Sequence, residues 1–217
     1  WAVGTPGVNG RVTDGTQSAD YGCLPLTNAA TGANYIAELQ MAASVNHSHL
    51  FFDCLWVNSG LAITTTTAQS ITTPTLPARD INGETNGEGC MIAILCTAAV
   101  GLAAVASNAT VTYTNSRGTG SRTATLAAIV GSQAPATPVI GTIIWFNLAA
   151  GDTGVRSIEA ITLGTTWVSG SISLMITRDI VTIGTSIPNV SVPKNIASPG
   201  IRIYNNTCLL HNMLTSA

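Results

Sequence analysis

The stretch from Ser107 to Leu163 constrains the fold most. Ala109-Thr-Val-Thr-Tyr-Thr114 alternates apolar residues with threonines, the period-two pattern of a strand with one buried face. Asn115-Ser-Arg-Gly-Thr-Gly-Ser-Arg122 follows, where Gly118 and Gly120 permit the positive φ of a tight reversal and two arginines keep the tip solvated. Thr123-Ala-Thr-Leu126 then returns to extended chain, so residues 109–126 are expected to form a β-hairpin. A second turn signal, Ala150-Gly-Asp-Thr-Gly154, leads into a further strand from Val155 to Leu163. Turns this tight between strands this short commit the chain to β structure.

Composition agrees. Hydrophobic residues make up 46% of the 217 and aromatics only 5%, so the core is built from Val, Ile, Leu and Ala. The polar remainder is rich in Thr, which favours strands, and in Gly and Asn, which favour turns. Only 8% of residues are charged, against about 25% in an ordinary soluble domain. A free monomer stays soluble largely through surface charge, so much of this surface is expected to be covered by partners. A net charge of −2 without a basic run argues against nucleic-acid binding. No basic-then-apolar leader opens the sequence at Trp1, and no secretory signal is expected. Cys23, Cys54, Cys90, Cys96 and Cys208 have no regular spacing, which predicts buried reduced thiols, suited to folding in a reducing cytoplasm.

Along the chain, residues 1–49 are expected to be an N-terminal arm with one short helix, and residues 50–217 a β-sandwich or jelly-roll-like domain. The arm, Trp1 to Pro25, is rich in Gly, Thr and Asn and aperiodic. The helix is placed at Ala33–Val45, where Tyr35, Ile36, Leu39 and Met41 have helical spacing and Asn28 or Thr31 could cap it. Leu50–Val57 is a dense apolar run ended by Asn58-Ser-Gly60, a buried strand. Gly89–Ala106 carries no charge and approaches the about 17–25 residues of a membrane span. Without a flanking aromatic belt or Lys/Arg cluster it is read instead as a buried strand, Cys90–Thr97, with an apolar loop after it. Strands are also expected at Val139–Leu148 and Ser171–Thr177, an irregular stretch around Pro188, Pro193 and Pro199, and a last strand or short helix within Ile201–Leu214.

Few residues invite chemistry. His47 and His49 lie two apart on one strand face with Asp53 four further on, a trio zinc could use, but His211 is distant in sequence and surface or satisfied histidines are the simpler reading. Asp152 sits in an Asp-Thr-Gly like that of aspartic proteases, whose two carboxylates share a proton across paired loops; no second such loop exists, which favours a turn. The carboxylates are too scattered to nominate a glycosidase pair. No nucleophile elbow, P-loop or dinucleotide fingerprint is present. Asn46, Asn108, Asn189 and Asn206 begin N-x-Ser/Thr sequons of the kind such a composition produces by chance. No catalytic, metal-binding or cofactor-binding residue is nominated.

Three segments together are familiar: Thr110-Val-Thr-Tyr-Thr-Asn115, Gly118-Thr-Gly-Ser-Arg-Thr123 and Leu148-Ala-Ala-Gly-Asp-Thr-Gly-Val-Arg-Ser157. The chain resembles a family of small structural proteins of tailed bacteriophages with a similar hairpin and turn, the likeness extending to Leu50–Gly60 and Pro74–Arg79. The resemblance implies a virion component and no enzyme. The reading it favours is a head decoration, or cement, protein: a homo-oligomer, expected as a trimer, on the capsid surface, with the major capsid protein and its own copies as partners. Neither membrane nor nucleic acid is expected as a partner. Contact with the shell is expected through Trp1–Leu26. The alternative is a tail, baseplate or fibre module that binds a host glycan, for which Trp56, Trp145 or Trp167 would have to be exposed to stack on a sugar.

Overall fold

The described residues of the computed structural model, which are 10–13, 31–101, 109–126, 138–185, 187–195 and 201–215, form fourteen strands and no helix. In chain order these are β1 (Arg11–Val12), β2 (Asn34–Tyr35), β3 (Glu38–Met41), β4 (His47–Asn58), β5 (Gln69–Ser70), β6 (Cys90–Gly101) and β7 (Ala109–Asn115). There follow β8 (Arg122–Leu126), β9 (Ile143–Asn147), β10 (Val155–Leu163), β11 (Ser169–Thr185), β12 (Val192–Asn195), β13 (Arg202–Ile203) and β14 (Leu209–Thr215). One antiparallel sheet runs β1-β4-β11-β6-β9-β8-β7-β10-β5, and β14 also pairs with β4, so β1 and β14 share one edge of that strand. Two small sheets, β3 with β12 and β2 with β13, stand apart from it.

The large sheet curls over on itself. Its main core joins Leu55, Trp56, Ile92, Ile94, Ile172 and Leu174 from one half to Val111, Tyr113, Ala124, Ile158 and Ile161 from the other. Both layers of this sandwich-like core therefore come from one sheet. Trp56 and Trp167 lie at its centre with no exposed surface. In β7 the alternation holds as expected, with Ala109, Val111 and Tyr113 buried and the threonines between them outward.

Elsewhere β-bulges change the period. β10 buries Val155, Ile158 and Ile161, three residues apart, because register shifts between Val155 and Ser157 and between Ile158 and Ala160 each re-aim the strand. In β4 a shift opposite Ile176 and Thr177 leaves Leu55 without a register partner. Consecutive Leu55 and Trp56 thus both enter the main core, while Cys54 and Val57 join a second cluster on the other face with Ala93, Leu95 and Met175.

The all-β expectation holds, with two local corrections. Residues 33–45 form no helix: they hold β2 and β3, which pair with β13 and β12 near the C-terminus. Side chains of β3 alternate accordingly, Glu38 and Gln40 outward, Leu39 and Met41 packed towards Phe51, Ile180 and Ile183. A weak local helical pattern has yielded to long-range pairing. β12 likewise runs through the stretch expected to be irregular, and the chain's last segment is a strand rather than a helix. β6 crosses the core as a strand, and no described helix is long and apolar enough to cross a membrane. Cys54, Cys90, Cys96 and Cys208 are buried, and burial raises the Cys96 thiol to about 11. Cys23 and most of the arm lie outside the described residues.

Candidate functional site

The hairpin and the Gly-Asp-Thr-Gly turn, far apart in the sequence, meet at one end of the sheet. Pairing of β7 with both β8 and β10 brings the 115–121 tip beside the 149–154 turn. Asp152, whose side chain is 5% exposed, is the joint between them. Its carboxylate accepts from Tyr113 Oη at 2.5 Å, from Asn115 Nδ2 at 2.8 Å and from Arg122 Nε at 2.8 Å. Tyr113 Oη in turn accepts from the Ala149 amide at 3.0 Å. Asn115 Oδ1 accepts from the amides of Arg117 and Thr119, so one side chain shapes its own turn and holds the next one.

Neighbouring loops extend the platform. Glu159 Oε1 accepts from Thr114 Oγ1 at 2.7 Å and from the Ser121 amide at 3.1 Å. Buried Asp80 organises residues 80–89, its oxygens accepting from the amides of Asn82, Glu84 and Glu88. The Gly89 amide donates to Thr153 O and the Val155 amide to Gly87 O, which stitches this loop to the Asp152 turn. Gly87 has φ +71°, and a Cβ there would lie 1.8 Å from Val155 O, so only glycine allows the approach.

The electrostatics indicate what this cluster can do. Hydrogen bonding from Arg122, then from Tyr113 and Asn115, lowers the Asp152 carboxyl to about 2. Burial, and then the bond to Asp152, raise the Tyr113 phenol to about 12. Near neutral pH the one is a fixed anion and the other a fixed donor. Neither is poised to exchange a proton, and the Asp-Thr-Gly is a turn clamp rather than half of a protease dyad.

The second ionic cluster is fully interior. Asp53, Arg79 and Arg178 are buried; Arg79 Nε donates to Asp53 Oδ2 at 3.0 Å, and Arg178 Nη2 lies 3.8 Å from the same oxygen. Burial pushes the Asp53 carboxyl up, and the two arginines with the Cys208 amide pull against that. Arg79 also donates to Thr13 O, Thr13 Oγ1, Cys54 O and Asn206 O, joining the N-terminal segment, β4 and the approach to β14.

Other sequence candidates fall into place around these. Asp53 is committed to Arg79 and so is not available to His47 and His49, and no group of three or more His, Cys, Asp or Glu among the described residues is arranged to hold a metal. His211, set aside on sequence distance, instead lies 2.9 Å from His49. Trp56 and Trp167 are core residues, and Trp145 is partly buried against the cluster of Cys54, Ala93 and Met175 and meets Phe52 in an edge-to-face contact at 6.0 Å. An open cavity of ≈ 510 Å³ on the outer face of β6 and β11 is lined by Ser59, Leu95, Thr97, Ile140 and Ser173 among others, without a charged group.

Sequence reasoning passed over Asp80 and Glu159. The Asp-x-Asn-Gly spacing after Arg79 was a usable signal for the first, since Asp caps its own following amides. The second has no local signal. Comparisons with protein families, with characterised proteins and with solved structures find no match to this chain.

Proposed function

We propose that the chain is a structural protein of a tailed-phage virion, a decoration protein that clamps the major capsid lattice as a homotrimer. The observation that carries the proposal is the use made of the charged side chains. Asp53, Arg79, Asp80 and Arg178 are buried in internal bonds, and Asp152, Arg122 and Glu159 bind loops to one another. What is left outside is largely Thr, Ser, Gly and apolar, with Tyr35, Val45, Ile81, Val139, Ile140, Val168 and Ile187 each more than half exposed. Such a surface suits a subunit covered by neighbours, since interface cores are depleted of charge. The motif residues of the phage-like resemblance serve as turn clamps, which fits a mechanical role. In this role the protein buries apolar surface against the shell and ties adjacent capsid subunits together.

Contact through the N-terminal arm can be tested with a cut placed by the fold. Gly10–Thr13 belong to the folded body: β1 pairs with Trp56 and Val57, Thr13 is 1% exposed, and a Cβ on Gly10 would lie 2.2 Å from the Trp56 ring. Deleting residues 1–9 should leave the melting transition unchanged and abolish binding to undecorated heads in a co-sedimentation assay. Undiminished binding by the folded deletion variant would remove residues 1–9 from the contact.

A further inference from the structure

All three histidines of the chain, His47, His49 and His211, gather at one place although His211 lies 162 residues from His49. His49 projects from β4 and is 3% exposed, while His211 is on β14, opposite Phe51 in register. The two rings stack with centroids 5.1 Å apart, and His49 Nδ1 faces His211 Nε2 at 2.9 Å. Phe51 stacks on the other ring at 4.9 Å, and His47 meets His49 edge-on at 6.4 Å. Each imidazole contact from β14 to β4 thus passes through the one residue His211.

We propose that the His49–His211 pair is an acid-sensitive latch that holds the C-terminal strand β14 on the edge of β4 and releases it when the pair is protonated. The argument is one of available proton sites. A 2.9 Å contact between ring nitrogens needs one hydrogen between them, and protonating both facing nitrogens sets two N–H groups head to head. The extra proton can go elsewhere only at a penalty. Nε2 of His49 is buried with no hydrogen-bond partner among the described residues, so a hydrogen placed there is unsatisfied. A cationic His211 donating to His49 forces the hydrogen of His49 onto that same Nε2. The docked strand therefore favours the neutral pair.

Among the described residues nothing nearby offsets the charge. On β4 the titratable neighbour is His47, whose backbone is held by the Thr185 hydroxyl of β11. β11 places Ile183 opposite His49, and its charged Arg178 and Asp179 lie opposite Asp53 and Phe52. The β3–β12 sheet, packed on Phe51 and Ile183 through Leu39, Met41 and Val192, adds Glu38, which is hydrogen-bonded by Gln40, and Lys194, opposite Leu39 in register. Among the described residues no carboxylate acts on either ring. Burial first, then His47 for His49 and His49 for His211, hold both groups below the usual histidine value. A histidine depressed in the folded state contributes stability that is complete above its unfolded value of about 6.5 and is lost as pH falls through its folded value.

Hydrogen exchange of the full-length protein, corrected for intrinsic rates, tests this between pH 7.5 and the onset of global unfolding. Protection over Leu209–Thr215 should fall by about tenfold for each unit by which the docked pair resists protonation, while β6 and β7 keep theirs. His211→Phe preserves the stack on Phe51 and should remove the pH dependence, with β14 protected throughout. Uniform loss of protection across the molecule, or an unchanged pH profile in H211F, would overturn the proposal. Should H211F fail to dock β14, the imidazole resonances of the wild-type protein decide it. Titration of both rings below 6.5 supports the latch, and titration at or above that value contradicts it.

Discussion

Replacing Arg79 with methionine should cost about 3–5 kcal/mol of folding stability, the usual result of removing one partner from a buried ion pair. The side chain is 3% exposed and the Asp53 carboxylate beside it is not exposed at all. Without Arg79, Asp53 keeps among the described residues the Cys208 amide at 2.8 Å and Arg178 at 3.8 Å, neither of which replaces a direct guanidinium contact. The same change removes a donor that Thr13 O, Cys54 O and Asn206 O share, so three segments lose a common tie. Against a total stability of about 5–15 kcal/mol, a loss of that size leaves the chain close to unfolding. Urea denaturation of R79M measures it. The double variant with Asp53→Asn should be less destabilised than the sum of the single changes, because the second substitution removes the charge that the first leaves stranded. Strict additivity would mean that the two groups are not coupled.

Asp152→Ala should be the second largest effect, about 2–3 kcal/mol, from three donors left pointing at an empty place, one of them charged. Arg122 is about one-third exposed (34%), so its Coulombic share is discounted for solvent screening and the estimate rests on Tyr113 and Asn115. The buried Tyr113 hydroxyl would lose its acceptor, and the Asn115 amide its hold on the neighbouring turn. Exchange protection should fall at residues 115–121 and 149–154 before it falls in β4 or β11. The pH dependence has a definite sign. A carboxyl lowered to about 2 contributes stability that is present above its unfolded value of about 3.9 and is lost as pH falls through the folded one. Acid denaturation of the wild-type protein should therefore steepen in that window, and D152A should lack the step. An unchanged acid limb in D152A would show that the clamp does not report on global folding.

How much of this was legible depends on range. The hairpin was plain because both of its signals, threonine alternation and a glycine-bearing turn, lie within eighteen residues, 109–126. The buried runs of β4 and β6 were equally plain, since few other segments are so free of polar residues. β11 runs from Ser169 to Thr185, beyond the expected Ser171–Thr177, because Arg178 and Asp179 look like a strand end; in fact Arg178 is buried against Asp53 and Tyr204. The helix at residues 33–45 failed for the converse reason. Its apolar spacing is compatible with a helix, and the partners that make it two strands lie at 192–195 and 202–203. The site residues Tyr113, Asn115, Arg122 and Asp152 all stood in conspicuous motifs, but their convergence on one carboxylate follows from strand register, which no local pattern states. The meeting of His49 with His211 is of the same kind.

The proposed role rests most directly on the protein's abundance in the particle. Quantitative mass spectrometry of purified virions, with peptides of this chain measured against the major capsid protein, gives that number. A shell-clamping decoration protein should approach parity with the capsid subunit. A few copies to a few dozen per particle would contradict the decoration role, place the protein at a vertex or on the tail, and make receptor binding the activity to test.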